Sequence, residues 1–358
     1  MTALLLEGAR VIDPAGGEDG QRDVLIVDGR LAAPKSATPT ERRDVSGCWV
    51  FPALTDLRCV LRVQDDVADA LAGGFARLIA DPSSARGLKA DGLELRFAAE
   101  VTRGTELGER ALEAPCLSSG FAPIATNGLL RRALQHAERK VVMLHAEDVT
   151  LTAGAVVGEG TTALRLGLTG APPESEVAAV AAALAVLEGT GGRLHFSHLT
   201  CRGSVERIAQ AKRQGLSVTA DATPHHLRDD DAKAEGYGLE ARVWPPLRSR
   251  ADVEAVKKAA IDGTLDAVAT DHKRPSILER EHPFEMAAFG KLSLRTAFAD
   301  VVAAGVPAAR AVALFTVGPA AVLGLTPPSL GAGQGADLAV FDPQANRMRY
   351  TILQGASR

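Results

Sequence analysis

The sequence predicts an α/β fold, a TIM-type (β/α)8 barrel with a small β domain formed from both ends of the chain. Apolar, strand-like runs alternate with helical patterns through the middle of the chain, and further strand-like segments occur at both ends. A doubly wound open sheet is the competing fold, but no Gly-rich dinucleotide-binding motif follows the first strand. A chain of 358 residues is long enough for the barrel and its companion.

The strand candidates of the barrel are continuous apolar runs that end in polar residues, as is typical of parallel strands covered on both faces. They comprise residues 49–57, 76–81, 94–101, 114–119, 140–146, 193–198, 217–222 and 266–271. The helical patterns between them include Gly128–Arg139, Glu174–Leu187, Ser204–Gln214 and Asp252–Ile261. Eight strands alternating with helices over about 250 residues match the barrel in number and size.

The strand-like segments at the two ends are expected to pair with each other. ALLLEGARVI and DVLIVDGRLAA open the chain around the turn-rich DPAGGEDGQR, and GADLAVFD (335–342) and RYTILQG (349–355) close it. The predicted domains are therefore residues 1–48 and 326–358, which together form the small β domain, and residues 49–325, which form the barrel.

Composition gives no reason to expect nucleic acid or a membrane as a partner. The chain is 46% hydrophobic and 23% charged, as in ordinary soluble proteins, and its net charge is −4. No apolar run approaches the roughly 18 residues of a spanning helix, and MTALLLEGARVID lacks the basic region of a signal peptide. The four cysteines have no Cys-x-x-Cys spacing, which indicates reduced thiols in a cytoplasmic protein.

Functional residues of a barrel gather at the C-terminal ends of its strands. Three of the predicted ends carry His145, His198 and Asp271, and two His and an Asp at one barrel mouth form a recognisable set of metal ligands. A single His at a strand end is more often a hydrogen-bonded structural residue, so that alternative stays open for each position taken alone. Other polar residues at strand ends are Asp56, Arg58, Asp81, Ser118, Ser119, His195, Asp221, His225, His226 and His272.

Several motifs in the same order resemble the dihydroorotases of the amidohydrolase superfamily. They are LHAED (144–148), HFSHLTCRGSVERIAQAKRQG (195–215), DATPHHL (221–227), WPPLRSRADVEAV (244–256), DGTLDAVATDH (262–272) and the C-terminal GPAAVLGL and GADLAVFDP. The resemblance runs nearly end to end. It implies a TIM barrel flanked by a β domain, and metal-dependent interconversion of carbamoyl-aspartate and dihydroorotate in pyrimidine biosynthesis. It also implies that His145 and His198 hold one metal, while Asp271 contacts a second and acts as general base.

The sequence departs from this family pattern at the metal ligands. The first-strand His-x-His becomes Arg58 and Val60, and the bridging acidic ligand after the fourth strand aligns with Ser119. Only His145, His198 and Asp271 remain of the ligand set. The resemblance therefore implies remnant ligands that hold no metal, and a vestigial general base at Asp271.

The substrate contacts of the family are also largely replaced. Arg62 keeps the position of the arginine that holds the substrate carboxylate. The two other carboxylate contacts align near Pro82 and Pro275, and the Asn before Pro-Pro-Leu-Arg is Trp244. Arg62 is thus a vestigial substrate-binding residue.

Arg58 is the most informative replacement, because a guanidinium is permanently charged and offers no lone pair. Where a cation would otherwise bind, it repels a metal, and we expect it to pair with Asp271. The alternative is that Arg58 points to solvent in an open mouth. In both cases we expect the site to generate no hydroxide.

Three functions follow from these observations. The first is a catalytically inactive dihydroorotase homologue without a cofactor, which serves as a structural partner of aspartate carbamoyltransferase in a hetero-oligomer, as inactive bacterial homologues do; association between copies of the chain is a further option. The second is a zinc-dependent dihydroorotase or other cyclic-amide hydrolase with a mononuclear site at His145 and His198 and Asp271 as base. The third is a binding protein that kept a small-molecule pocket, since Arg62 remains.

Overall fold

The computed structural model describes residues 2–33, 36–108 and 113–357. The strands are β1 (Ala3–Asp13), β2 (Glu18–Val27), β3 (Arg30–Ala32), β4 (Glu41–Asp44), β5 (Trp49–Pro52), β6 (Leu54–Val60), β7 (Phe75–Ala80), β8 (Glu94–Phe97), β9 (Ala99–Glu100), β10 (Thr102–Arg103), β11 (Glu106–Leu107), β12 (Leu117–Ser118), β13 (Val141–His145), β14 (Val157–Gly158), β15 (Gly170–Ala171), β16 (Arg193–Ser197), β17 (Val218–Ala222), β18 (Ala267–Val268), β19 (His272–Lys273), β20 (Leu338–Asp342), β21 (Arg347–Leu353) and β22 (Ala356–Ser357).

Helices lie between most of the barrel strands. They are α1 (Gln64–Ala72), α2 (Asn127–His136), α3 (Thr161–Leu166), α4 (Glu174–Thr190), α5 (Arg202–Arg213), α6 (Arg250–Asp262), α7 (Ile277–Arg280), α8 (Ala297–Ala303), α9 (Ala308–Phe315) and α10 (Val317–Leu323), and short 3-10 helices at His225–Leu227, Asp231–Tyr237 and Leu239–Ala241 follow β17. Within the described ranges, none of these helices combines the length and the apolar character needed to cross a bilayer.

The parallel strands of the middle region close into a barrel through two interrupted strands. β8 pairs with β7, and β9, which starts two residues after β8 ends, pairs with β12. In the same way β18 pairs with β17, while β19 pairs with β6. Because each interrupted strand belongs to both sheets, the order β6, β7, β8/β9, β12, β13, β16, β17, β18/β19 returns to β6. The TIM-type barrel predicted from the sequence is confirmed.

The terminal segments form one sheet, in the order β22-β21-β20-β5-β1-β2-β3, with β4 beside β1. One prediction needs correction here, because the strand placed at 49–57 is two strands. β5 pairs with β1 and antiparallel with β20, so it belongs to the terminal sheet, and only β6 enters the barrel. The chain changes sheets at Ala53, whose N–H donates to Asp337 O. Both strands are buried on both faces, so the sequence reads as one apolar run. The boundary at residue 48 therefore falls one strand early, and the rest of the predicted domain division stays a prediction.

Aromatic side chains join the terminal sheet to the helices of the barrel. The ring of Phe298 on α8 lies 4.6 Å from that of Phe51 on β5 and 4.9 Å from that of Phe341 on β20. All three side chains are fully buried. Removing each such ring from water stabilises the fold by about 1.5–3 kcal/mol, so the terminal sheet is packed firmly against the barrel body.

Candidate functional site

The C-terminal end of the barrel brings His198 and Asp271 together. Both are buried, and His198 Nδ1 lies 3.5 Å from Asp271 Oδ1. Their φ angles are 59° and 48°, in the left-handed region that residues other than Gly seldom adopt. The surroundings hold this backbone, since the N–H of His198 donates to Asp221 Oδ1 at 2.7 Å and that of Asp271 donates to Arg58 O at 3.2 Å.

His145, the last residue of β13, is also buried at this end, but a carboxylate engages its ring. His145 Nε2 lies 2.8 Å from Glu147 Oε2, and a carboxylate can only accept, so Nε2–H donates. Glu147 also accepts from the Thr152 hydroxyl and, at 3.1 Å, from the indole N–H of Trp244. Burial alone would raise the pKa of Glu147, but the bonds from His145 and Thr152 lower it to about 2. At neutral pH, the Nε2 of His145 is therefore hydrogen-bonded to the ionised carboxylate of Glu147.

Ser119 and Val60, at two of the replaced ligand positions, have structural contacts. The Ser119 hydroxyl accepts the backbone N–H of His145 at 2.9 Å and so fixes the end of β13. Val60 is buried in β6, in register with Lys273 of β19. Neither residue provides an imidazole or an anionic ligand.

Arg58, at the third replaced position, is buried with 3% of its surface exposed. Its Nη1 lies 3.5 Å from His198 Nδ1, its Nε lies 3.8 Å from Asp81 Oδ2, and its guanidinium carbon lies 4.0 Å from the centre of the Phe121 ring. The guanidinium therefore lies among the groups that would surround a metal at this mouth.

Two expectations about Arg58 are wrong. Its ion-pair partner is Asp81, after β7, rather than Asp271, because His198 Nδ1 contacts both Arg58 and Asp271 and occupies the direct approach between them. The alternative that Arg58 points to solvent also fails, since the side chain is enclosed by Phe121, Asp81 and His198.

Electrostatics at the mouth follow from this arrangement. Burial raises the pKa of Asp271 to about 7, and the charges of Arg58 and Lys273 oppose the rise. Burial also lowers the pKa of His198 well below its usual range, and Arg58 lowers it further. His198 is therefore a neutral imidazole at neutral pH, beside a carboxyl group that titrates there.

Other polar residues predicted at strand ends form a layer beneath the mouth, which we call the floor and define as Asp56, His195, Asp221 and Thr270. Asp221 Oδ2 accepts from His195 Nε2 at 2.8 Å. The two oxygens of Asp56 accept the N–H and the hydroxyl of Thr270, at 2.7 and 2.6 Å. These contacts tie β6 to the end of β18, and β16 to β17, so the structural interpretation holds for His195.

His226 is hydrogen-bonded through both ring nitrogens, while the ring of its neighbour His225 only packs against it, with the two ring centres 4.5 Å apart. His226 Nδ1 and Nε2 lie 2.8 Å from Thr223 Oγ1 and 3.0 Å from Pro245 O. His225 is equally buried, but neither of its ring nitrogens has a hydrogen-bond partner. His136 and His282 are exposed.

Arg62 lies on the rim of the mouth and has a partner there. Its Nη1 donates to Glu279 Oε2 at 2.7 Å, and its backbone N–H donates to Asp66 Oδ2 at 2.7 Å. A substrate carboxylate would share the guanidinium of Arg62 with Glu279 or compete with it, and the substrate-binding role of Arg62 stays a prediction.

A cavity of about 190 Å³ opens at the mouth, next to Asp271. Its lining includes side chains that sequence reasoning missed as site residues: Phe121, Phe289, Lys273 and Lys291. Trp244, which was recognised only as a lost Asn, also lines it. Lys273 could have been noticed, because it follows Asp271 by two residues at a strand end. Phe289 and Lys291 lie in the segment between α7 and α8 and carry no signal of their own.

Zinc is the metal that the predicted hydrolase would require, typically with three protein ligands and an open position. Within residues 2–33, 36–108 and 113–357, no three His, Cys, Asp or Glu side chains are grouped so that they could hold a metal. His145 Nε2 donates to Glu147, and His198 Nδ1 faces the guanidinium of Arg58. The donor set in this arrangement does not fit a zinc ion.

Comparisons with known proteins identify the family. The sequence profile of the Amidohydrolase family matches residues 104–358. The chain belongs to the amidohydrolase family. A dihydroorotase of Anaeromyxobacter dehalogenans (strain 2CP-1 / ATCC BAA-258) is 39% identical over 96% of this chain and 89% of the relative. One of Pelotomaculum thermopropionicum is 36% identical over 95% of this chain and 89% of the relative.

Solved structures of a dihydropyrimidinase and of a hydantoinase share the fold. A dihydropyrimidinase from Brevibacillus agri NCHU1002 superposes with a TM-score of 0.83 at 19% identity, over 99% of this chain and 95% of that one. An L-hydantoinase from Arthrobacter aurescens gives 0.82 at 21% identity, over 100% and 96%. At these identities the likeness extends to the barrel and terminal sheet and not to the chemistry.

Proposed function

We propose that this amidohydrolase is a dihydroorotase homologue of pyrimidine biosynthesis that does not hydrolyse its family's substrate and serves as a structural partner of aspartate carbamoyltransferase. The observation that carries the proposal is the buried guanidinium of Arg58, 3.5 Å from His198 Nδ1. A permanent cation here occupies the position from which a metal would act.

The physical argument concerns charge and lone pairs. Two unit charges about 4 Å apart interact by about 4 kcal/mol near a protein surface, and a divalent ion doubles that repulsion. Arg58 and Val60 offer no lone pair in place of the two family histidines. Ionising a water near pH 7 requires a tightly held metal ion, and the contacts of His145 and His198 work against one.

The role as a partner is supported by what the chain keeps. The barrel and the terminal sheet are intact, and the floor beneath the mouth is fully hydrogen-bonded. The choice of partner comes from the resemblance to inactive bacterial homologues that associate with aspartate carbamoyltransferase. The proposal places the chain in the cytoplasm, where its free, buried cysteines stay reduced.

A second candidate is metal-dependent dihydroorotase activity. It is favoured by the relatives at 39% and 36% identity, which are named dihydroorotases. For this function, His145 and His198 would have to turn from Glu147 and Arg58 to bind zinc, with Asp271 as the base.

One experiment separates the two candidates. Metal content and ring opening of dihydroorotate are measured on the purified chain, alone and mixed with aspartate carbamoyltransferase. The proposal expects far less than one zinc per chain, no turnover in either sample and a stable complex in the mixture. About one zinc per chain, with turnover that Asp271→Asn abolishes, would establish the second candidate. If the chain is metal-free and inactive but forms no complex, the result supports the loss of catalysis and refutes the role as a partner of aspartate carbamoyltransferase.

A further inference from the structure

One part of the outer wall of the barrel has no helix of described residues over it. In a (β/α)8 barrel each strand is followed by a helix, and the helices form an outer ring. β7 is followed instead by residues 81–93, all of which are described and form turns and bends without a helix. After β9, the described residues 101–108 and 113–116 contain the β10–β11 pair and no helix. Loops rather than helices therefore border the outer face of β8 and β9.

The apolar side chains on this wall are less buried than their counterparts elsewhere in the barrel. Leu95 of β8 is in register with Leu78 of β7, which belongs to the core cluster that the barrel helices share. Phe97 lies two residues along the strand, on the same face, and both side chains pack against that cluster while remaining half-buried. Phe196 on β16, over which α4 packs, is fully buried in the same cluster. An apolar surface laid on Leu95 and Phe97 would therefore gain from burial.

The uncovered wall forms one side of a groove of about 530 Å³ in which positive charge is in excess. The charged side chains that line it are three arginines, Arg86, Arg96 and Arg103, and two glutamates, Glu100 and Glu113. The whole chain carries a net charge of −4. The groove is therefore opposite in sign to the rest of the molecule, and it favours a partner surface that carries carboxylates.

Arg86 is the arginine of this groove without an acidic partner. Its guanidinium carbon lies 3.7 Å from the centre of the Phe97 ring, and no carboxylate in the part of the chain that the structure describes lies within ion-pairing distance of it. The other two arginines each have a glutamate within 3.2 Å. Arg86 therefore holds a positive charge directly over an apolar ring, where a carboxylate of a partner would gain a charge-assisted hydrogen bond.

We propose that this groove receives an amphipathic α-helix of a protein partner, with apolar side chains on Leu95 and Phe97 and a carboxylate on Arg86. A helix with one apolar face is the element that covers a sheet in this fold class, and here the partner supplies it. The inference rests on the proposed function, because the partner is the aspartate carbamoyltransferase. The lining of the groove shares no residue with the cavity at the mouth.

The proposal is tested by calorimetric titration of aspartate carbamoyltransferase with the full-length chain. Phe97→Ala removes apolar surface from the groove. Arg86→Glu reverses the charge at an exposed residue, so it tests the groove even if Phe97→Ala folds poorly. Arg347→Glu is the matched control, because Arg347 is an exposed arginine on β21 of the terminal sheet. Circular dichroism checks the fold of each variant, and sedimentation of each chain alone reports self-association.

We expect Arg347→Glu to bind as the unaltered chain does, and Arg86→Glu and Phe97→Ala to bind at least about tenfold more weakly. If Arg86→Glu or a folded Phe97→Ala binds as tightly as the unaltered chain, the groove is refuted, and the complex of the proposed function forms through another surface. If the chain associates with itself and Arg86→Glu separates the copies, the occupant is a second copy and the proposal fails. If the unaltered chain binds no carbamoyltransferase, the proposed partner itself is refuted, and this inference with it.

Discussion

The floor of the site and the mouth above it differ in how completely their buried polar groups are hydrogen-bonded. In the floor, both oxygens of Asp56 and of Asp221 have hydrogen-bond donors. At the mouth, one or more side-chain atoms lack a partner in each of Arg58, Asp81, His198 and Asp271. Buried polar groups in folded proteins are nearly always paired. The floor therefore ties the barrel strands together, while at the mouth several buried polar atoms are left without a partner.

The largest expected effect is in the floor. Asp221→Ala leaves the His195 ring and the His198 N–H without their acceptor, and both are buried. We expect the free energy of unfolding in urea to fall by about 3 kcal/mol or more. Asp65→Ala, at an exposed residue of α1, is the control and should change it by less than about 0.5 kcal/mol. A loss below 1 kcal/mol in Asp221→Ala would remove the contrast between floor and mouth.

The next effect concerns pH at the mouth. The pKa of Asp271 is about 7 in the fold, above the usual 3.8, so the folded state holds a proton that the unfolded state has released. The contribution of this group is greatest below pH 4 and is lost as the pH rises to about 7. Asp271→Asn should make this fall shallower by about 2 kcal/mol, measured as urea unfolding between pH 4 and 8. Burial also raises the pKa of Asp56 to about 7. In the variant, Asp56 therefore still contributes its own part of the loss of stability as the pH rises. An unchanged slope in the variant would show that Asp271 is ionised when folded.

A smaller effect is expected where Trp244 supports Glu147. Trp244→Phe keeps an aromatic ring in the cavity wall and removes the N–H that Glu147 accepts at 3.1 Å. We expect a loss of about 1 kcal/mol at neutral pH, measured by thermal unfolding. The loss should persist through mild acid and shrink only as the pH falls to about 2, where Glu147 in the fold takes up a proton and needs the donor less. Trp49→Phe on the terminal sheet is the matched control, and its effect should not depend on pH in this way. A pH-independent loss in Trp244→Phe would count against the role of this hydrogen bond.

The smallest effect is expected on the rim. Arg62→Met breaks the ion pair with Glu279. In this pair the side chain of Arg62 is 37% exposed and that of Glu279 is 40% exposed. Exposed pairs contribute less than about 1 kcal/mol, so the midpoint of urea unfolding should move little. A loss as large as that of Asp221→Ala would mean that the rim, and not the floor, secures this end of the barrel.

The barrel was predictable because its strands are continuous apolar runs with helices between them. The same property hid the change of sheet at Ala53, since every residue of β5 and β6 except the half-buried Trp49 is buried, and no polar residue marks the break. Pairing partners far along the chain decide which sheet a buried strand joins, and an apolar run does not specify them.

The replaced ligand positions were also predictable, from the resemblance alone. The direction of the Arg58 side chain was not, because it depends on Asp81 and on Phe121, in the loop after β12. The same applies to Glu147, whose bond to His145 is a matter of side-chain geometry. Motifs identify residue types at strand ends, whereas the partners of a long side chain depend on neighbouring loops.

The central claim is that the guanidinium of Arg58 takes the place of a metal at the barrel mouth. It is tested most directly by calorimetric titration of zinc into the unaltered chain and into the double variant Arg58→His with Val60→His, which restores two imidazoles at the end of β6. The account predicts no saturable zinc binding by the unaltered chain and measurable binding by the double variant. Tight binding of one zinc by the unaltered chain, unaffected by the two substitutions, would contradict it.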